Sequence, residues 1–222
     1  MENYNQILTQ TQIFREMSGK EIGRLLLFLK PVMRKYKKGS FIISAGSAVN
    51  DLCIVLEGKT QIIKEDIYGN RAIINELGPA EMFAEALACA QIQHSPVSVV
   101  SVIDSKILFI NFNKIAGAKN FPAAAYNKII KNIMLLLSQK NIFLNNKLEH
   151  ASQKTIRDKL LSYFNELAVK SGAARFTIPF SKTAMADYLF VDRSAMSREL
   201  AKMKKEKLIN FNGNDFEIIK IK

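Results

Sequence analysis

Residues 181–206 hold the side chains best suited to grip another molecule: Lys182, Thr183, Arg193, Ser194, Ser197, Arg198 and Lys202. A guanidinium can chelate the O6 and N7 of a guanine, and a serine hydroxyl can donate to or accept from a base edge. A lysine ammonium suits phosphate oxygens as a point charge. The chemistry suggested is reversible recognition of a polyanion, not bond-breaking. The chain of 222 residues carries a formal net charge of +12. Half of that excess lies in residues 151–222, with fourteen basic and eight acidic residues. Such an excess points to nucleic acid or to an anionic membrane surface.

Other reactive side chains are few. Cys53 and Cys89 are the two cysteines, and His94 and His150 the two histidines. Without C-x-x-C pairs there is neither a cysteine metal site nor a disulfide framework. A single Cys53–Cys89 bridge stays open, with free thiols expected. There is no P-loop, H-E-x-x-H, G-x-S-x-G or dinucleotide fingerprint, so no enzyme is expected. The polar N-terminus lacks signal-peptide order. No apolar run reaches the about 18 residues that would span a bilayer. A cytoplasmic globular protein without a membrane partner is expected.

The elements around the recognition set are legible. Ser181 can cap a short helix, Lys182–Tyr188, and Asp192 a second one, Arg193–Lys205. A tight turn, Leu189-Phe190-Val191, joins them. Ala186 allows close crossing, while Met185, Leu189, Val191, Met196 and Leu200 form a shared core. This is a helix-turn-helix. Residues 208–219 read as a hairpin wing, and Arg175–Ile178 as a short strand stopped by Pro179. A helix over 153–170 precedes it.

Upstream, 122–151 reads as one long helix. Positions 126, 130, 133, 137, 140, 144, 147 and 151 make a heptad seam interrupted by Lys140 and Lys147. Ile130, Ile133, Leu137 and Leu144 are its expected dimer contacts. A second stripe, Ile129, Leu136 and Phe143, is expected to pack on the preceding domain. From Lys38 to Phe112, glycines at 39, 46, 58, 69 and 78 separate short β-branched runs, the pattern of an all-β sandwich or barrel. Tyr68-Gly69-Asn70 reads as a hairpin turn. Residues 7–30 read as helical with a break at Met17-Ser18-Gly19, where Ser18 and Glu21 form a capping-box pattern.

Gly39-x-x-Ile42-x-x-x-Gly46 with Val55-Leu56-Glu57-Gly58 and Ile62 resembles the β-roll of the Crp/Fnr regulators. Residues 192–200, Asp-Arg-Ser-Ala-Met-Ser-Arg-Glu-Leu, resemble that family's recognition helix. The resemblance implies an α+β fold. Its parts are an N-terminal double-stranded, jelly-roll-like β-roll sensor (1–121), a long dimerisation helix (122–151) and a C-terminal winged helix-turn-helix (152–222). It also implies a homodimer on a two-fold symmetric double-stranded DNA operator, with RNA polymerase as a partner.

By the family plan, the effector would meet Phe83, Glu85, Ala86, Cys89 and Ser95, near Leu144 and Asn145. The cyclic-nucleotide pattern is incomplete there. Ala84 replaces a glycine, and residues 72–105 contain no Lys or Arg to pair a phosphate. A buried phosphate without a cation is costly, so an effector other than cyclic AMP is expected. Two cysteines exclude the family's four-cysteine iron–sulfur cluster. The cofactor is otherwise open. Haem would need His94, His150, Met82 or Cys89 as axial ligand, and Cys89 could alternatively be a redox switch.

Overall fold

The computed structural model describes residues 4–66, 68, 71–117, 122–178 and 181–219. Gly69, Asn70 and Pro179, expected at a turn and a strand end, lie outside them. The chain divides into two compact units, Met1–Ser138 and Gln139–Lys222. The division falls inside the long helix, not at its two ends.

The first unit opens with α1 (Asn5–Gln10), a 3₁₀ turn (Gln12–Phe14) and α2 (Gly19–Leu29). The capping box forms: Ser18 Oγ accepts from the Glu21 amide, and the Ser18 amide donates to Glu21 at 2.7 Å. Strands follow as β1 (Val32–Tyr36), β2 (Phe41–Ile43), β3 (Asp51–Glu57), β4 (Thr60–Glu65), β5 (Arg71–Leu77) and β6 (Met82–Phe83). After α3 (Glu85–Cys89) come β7 (Ser98–Ser101), β8 (Ser105–Asn111) and α4 (Phe112–Ala116). They form two antiparallel four-stranded sheets, ordered β1-β8-β3-β6 and β2-β7-β4-β5.

Strand β3 is a central strand, and Leu52, Cys53, Ile54, Val55 and Leu56 are all buried in it. A strand covered on both faces reads as a continuous apolar run, as this one does. Strand β1 lies at a sheet edge and is exposed over most of its length. Its sequence Val-Met-Arg-Lys-Tyr lacks alternation, and sequence reading began the roll too late. Between β3 and β4, Gly58 turns with φ +91°, and a Cβ there would meet Ser105 Oγ at 2.2 Å and Asp104 O at 2.6 Å. Glycine is obligatory at this position.

Helix α5 (Ala123–Ser152) starts in the first unit. Ala125, Ile129, Ile133 and Leu136 enter the core shared with the roll. The buried Asn132 amide donates to the carbonyls of Ile13 and Arg15 at 3.0 and 2.7 Å. Lys128 bonds Glu21 at 2.7 Å, and that hydrogen bond, with those of Ser18, lowers the Glu21 carboxyl to a pKa of about 2.

Two expectations for this helix need correction. Ile133 is 4% exposed and belongs to its own unit's core, so it is not available to a partner. Its neighbour Met134 is 63% exposed. Phe143 lies in the second unit, its ring 5.7 Å from that of Tyr188, and is not part of the stripe packed on the roll. A heptad through Asn127, Ile130, Met134, Leu137, Asn141, Leu144 and Leu148 is exposed except at Ile130 and Leu137, which are half-buried and packed against the first unit's core. It shares Ile130, Leu137 and Leu144 with the expected seam. Its alternate positions lie one residue later, which exchanges Lys140 and Lys147 for Asn141 and Leu148.

In the second unit, α6 (Ile156–Ser171) is capped by Thr155, whose Oγ1 accepts from the Asp158 amide at 3.1 Å. It ends at Gly172 with φ +65°. Next come β9 (Arg175–Thr177), α7 (Lys182–Tyr188), α8 (Arg193–Lys205), β10 (Ile209–Asn212) and β11 (Asp215–Ile218). The three strands form one antiparallel sheet, β10-β11-β9. Phe164, Phe176, Met185, Met196, Leu200 and Phe216 anchor the core beneath. The unit is a winged helix-turn-helix.

Candidate nucleic-acid interface

Each helix of the motif starts on an acceptor side chain. Ser181 Oγ accepts from the Ala184 amide at 3.2 Å. Asp192 Oδ1 accepts from the Ala195 amide at 2.8 Å and from the Ser194 hydroxyl at 2.6 Å. The Ser194 hydroxyl first, and the Ala195 amide second, hold the Asp192 carboxyl below its ordinary pKa. A negative charge at a helix N-terminus is favourable. Ser194 thus helps to fix the helix start whose side chains face outward.

The turn is unusual. Phe190 has φ +53° and is 65% exposed, although a bulky residue disfavours the left-handed region. Its ring lies under Lys147, with Nζ 4.6 Å from the centroid. Beneath the turn, Met185, Ala186, Leu189, Met196 and Leu200 are all buried.

With that core fixed, Thr183, Arg193, Ser194, Arg198 and Lys202 are exposed, and Lys182 and Ser197 are half-buried. Arg193, Ser194, Ser197 and Arg198 occupy the first turns of α8, where a recognition helix meets base edges. Sequence reading missed Arg157, in the first turn of α6. Its Nε bonds Glu199 at 2.6 Å and its Nη1 bonds Glu206 at 2.7 Å. The hydrogen bonds to Glu206 and Glu199 raise the guanidinium pKa further. Arg157 fastens α6 to the recognition helix while neutralising carboxylates on it. It also missed Lys204 and Phe211: Lys204 Nζ donates to the Phe211 carbonyl at 2.8 Å.

The stretch expected to meet an effector is built differently. Phe83, Glu85 and Ser95 are buried, Cys89 is half-buried and Ala86 is exposed. Ala84 keeps a glycine-like conformation, φ +64°, at the start of α3. The Ser95 hydroxyl donates inward to the Val97 carbonyl at 2.7 Å. Burial, then the nearby Glu85 charge, raises the Cys89 thiol pKa; the thiolate required of a redox switch is disfavoured. Cys53 and Cys89 are free cysteines. Leu144 and Asn145 are exposed on α5 in the second unit, and Asn145 Nδ2 donates to Asn141 Oδ1 at 2.9 Å.

His150 is 2% exposed. Its Nδ1 lies 2.8 Å from Ser162 Oγ and its Nε2 2.6 Å from Glu166 Oε2, so both ring nitrogens are engaged. Asn146 and Lys170 bond the other Glu166 oxygen. That network ties the end of α5 to α6 and leaves His150 unsuited to a haem iron. The sequence signal was faint: Ser162 and Glu166 lie four apart on one face of α6. Among the described residues no cluster of His, Cys, Asp and Glu could hold a metal ion, and no helix is long and apolar enough to cross a membrane.

A roll joined to a winged helix-turn-helix with exposed cations on its second helix defines a DNA-binding transcription regulator. Residues 33–118 match the cyclic nucleotide-binding domain model, and residues 158–222 match the Crp-like helix-turn-helix domain model. The chain belongs to the Crp/Fnr family, whose members are transcription regulators and not enzymes. It is 23% identical over 200 residues to the "Probable transcriptional regulator flp" of Lacticaseibacillus casei, covering 84% of this chain and 82% of that one. Among solved structures, CprK in complex with OCPA superposes with a TM-score of 0.60 at 15% identity, over 89% of this chain and 91% of that one. The c-di-GMP-responsive regulator CLP of Xanthomonas campestris gives 0.55 at 16% identity, over 92% and 100% of the two chains. At such identities these structures speak for the fold alone.

Proposed function

We propose that the protein acts as a homodimer on a two-fold symmetric DNA site, under control of an effector other than cyclic AMP. One observation carries the dimer: the exposed heptad on α5. Met134, Leu144 and Leu148 are each at least 60% exposed, and over the first half of the helix another face, with Ala125, Ile129, Ile133 and Leu136, is buried. A groove of about 420 Å³ at Asn127, Ile130, Met134 and Leu135 would receive a partner's side chains. An apolar a/d stripe of this length is the form that a coiled-coil partner covers. Two α8 helices held about one DNA turn apart would then read matching half-sites, with Arg193, Ser194, Ser197 and Arg198 reading bases. RNA polymerase is the expected protein partner of the DNA-bound dimer.

Met134→Asp with Leu148→Asp should give monomers in sedimentation and abolish high-affinity operator binding. A double variant that remains dimeric overturns the seam.

The effector reading rests on charge. The absence of Lys and Arg from 72–105 and the inward-turned Ser95 hydroxyl argue against a phosphate at this place. Two relatives of this fold are named for other ligands, OCPA for CprK and c-di-GMP for CLP. Phe83, Glu85, Ala86 and Cys89 are the residues from which an effector search should start. Calorimetry with millimolar cyclic AMP should show no binding, and micromolar affinity would refute the reading.

A further inference from the structure

Lys182 and Lys204 come from different elements, the first residue of α7 and the last turn of α8. Both point at one ring. Lys182 Nζ lies 5.1 Å and Lys204 Nζ 4.8 Å from the centroid of Phe211, on the first wing strand β10. That ring is held in place, stacked on Phe216 at 5.1 Å with an interplanar angle of 19°. Phe216 is itself 4% exposed, so the platform is part of the core. Two ammonium groups therefore crowd one ring.

Nearby carboxylates do not relieve that crowding. Asp215 accepts from Thr177 Oγ1 at 2.6 Å, and Glu217 pairs with Arg175 at 2.9 Å. Among the described residues neither Lys182 nor Lys204 is ion-paired. Lys204 Nζ also donates to the Phe211 carbonyl at 2.8 Å, a bond that fixes the ammonium but leaves its charge uncompensated, so two like charges beside one fixed ring form a place that favours an anion. Lys204 lies seven residues beyond Ser197, two turns along the same face of α8, which makes the pair continuous with the base-reading surface. An open groove of about 620 Å³ runs beside it, lined in part by Lys204, Asn210, Phe211 and Asn212.

We propose that Lys182 and Lys204, gathered over Phe211, clamp one backbone phosphate of the DNA beyond the base-reading turns of α8. The inference rests on the DNA-binding reading and adds Lys204 and the wing residue Phe211 to the interface. The clamp positions the helix and carries no sequence information, as backbone contacts do.

The test uses the full-length protein and a labelled duplex of arbitrary sequence, titrated at several salt concentrations. Neutralising one phosphate contributes about 0.9 to the slope of log affinity against log salt. Lys204→Gln should remove most of that slope unit. The pair Lys182→Gln with Lys204→Gln should remove about one unit in total, because both act on one phosphate. Across a fourfold rise in salt, the double variant should lose about threefold less affinity than the wild type does. Phe211→Leu keeps both charges and an apolar side chain; it should weaken binding while leaving the slope nearly unchanged. Unaltered circular dichroism and melting must accompany each result. An unchanged slope in Lys204→Gln, or a loss of two units in the double variant, overturns the clamp while DNA binding stands. A wild-type protein with no salt-dependent affinity for any duplex overturns both.

Discussion

Two places in this molecule correspond to the points where its family meets phosphate, and they are built oppositely. On α8, Arg193, Arg198 and Lys202 stand in solvent, and Asp192 is engaged as the cap of that helix. In the roll, from Phe83 to Val97, the charged side chain is an acid, Glu85, buried at 4% exposure, with no lysine or arginine in the sequence nearby. One surface presents exposed cations and the other a buried acid. The backbone of the roll nevertheless keeps its glycine-like bend at Ala84. A left-handed bend does not by itself choose a ligand, so ligand identity must be read from side chains.

The comparison can be tested from both sides, and the largest effect should come from the frame of the roll. Gly58→Ala combines a forbidden φ with overlap against backbone and Ser105, and should cost about 3 kcal/mol or more. Chemical denaturation would show it, and a loss under 1 kcal/mol would mean that β3–β4 can shift. On the recognition side, Arg198→Ala should cost about 1–3 kcal/mol on the operator and little on a scrambled duplex, narrowing their affinity ratio. Equal losses on both duplexes would reassign Arg198 to the backbone.

Smaller effects follow. Asp192→Ala removes a helix cap and should lower the melting temperature modestly near neutral pH. Because the folded carboxyl has a lowered pKa, its contribution is present above the ordinary aspartate range and fades as pH falls through the folded value. Melting of the two proteins should therefore converge in acid, and a gap that persists at low pH would remove the charge from the explanation. The smallest change is a gain. Ala84→Gly relieves a left-handed alanine and should stabilise the protein by about 0.5–1 kcal/mol, without conferring binding of cyclic AMP. Binding by that variant would show that the frame, and not the missing cation, limits the site.

The recognition element was legible because its signals are local. Ser181, Asp192, Ala186 and the spaced apolar residues all act within one or two helical turns, and both helices have the bounds expected from sequence. The register of α5 was not. Tyr126 and Asn127, Ile133 and Met134, and Lys147 and Leu148 are adjacent pairs, and only tertiary packing decides which member of each turns inward. The two lysines interrupting the expected seam were the clue, since a seam one residue later avoids them. Strand β1 escaped notice because an exposed edge carries no burial pattern. The bonds of His150 and Arg157 escaped for another reason. Their partners are fixed by how helices dock, and no spacing rule gives that.

The pairing of Arg157 with two carboxylates has an electrostatic consequence for the whole recognition helix. Helix α8 and the residue after it contain two acids, Glu199 and Glu206, and both are held by this one guanidinium. A polyanion approaching α8 meets the field of its arginines and lysines with half of the opposing charge cancelled from behind. Arg157 would so act as a partial mask, improving long-range attraction. Replacing it by alanine would unmask two negative charges and slow the encounter with DNA most in dilute salt. The deficit would shrink as ions shorten the reach of the field to about 8 Å at physiological strength.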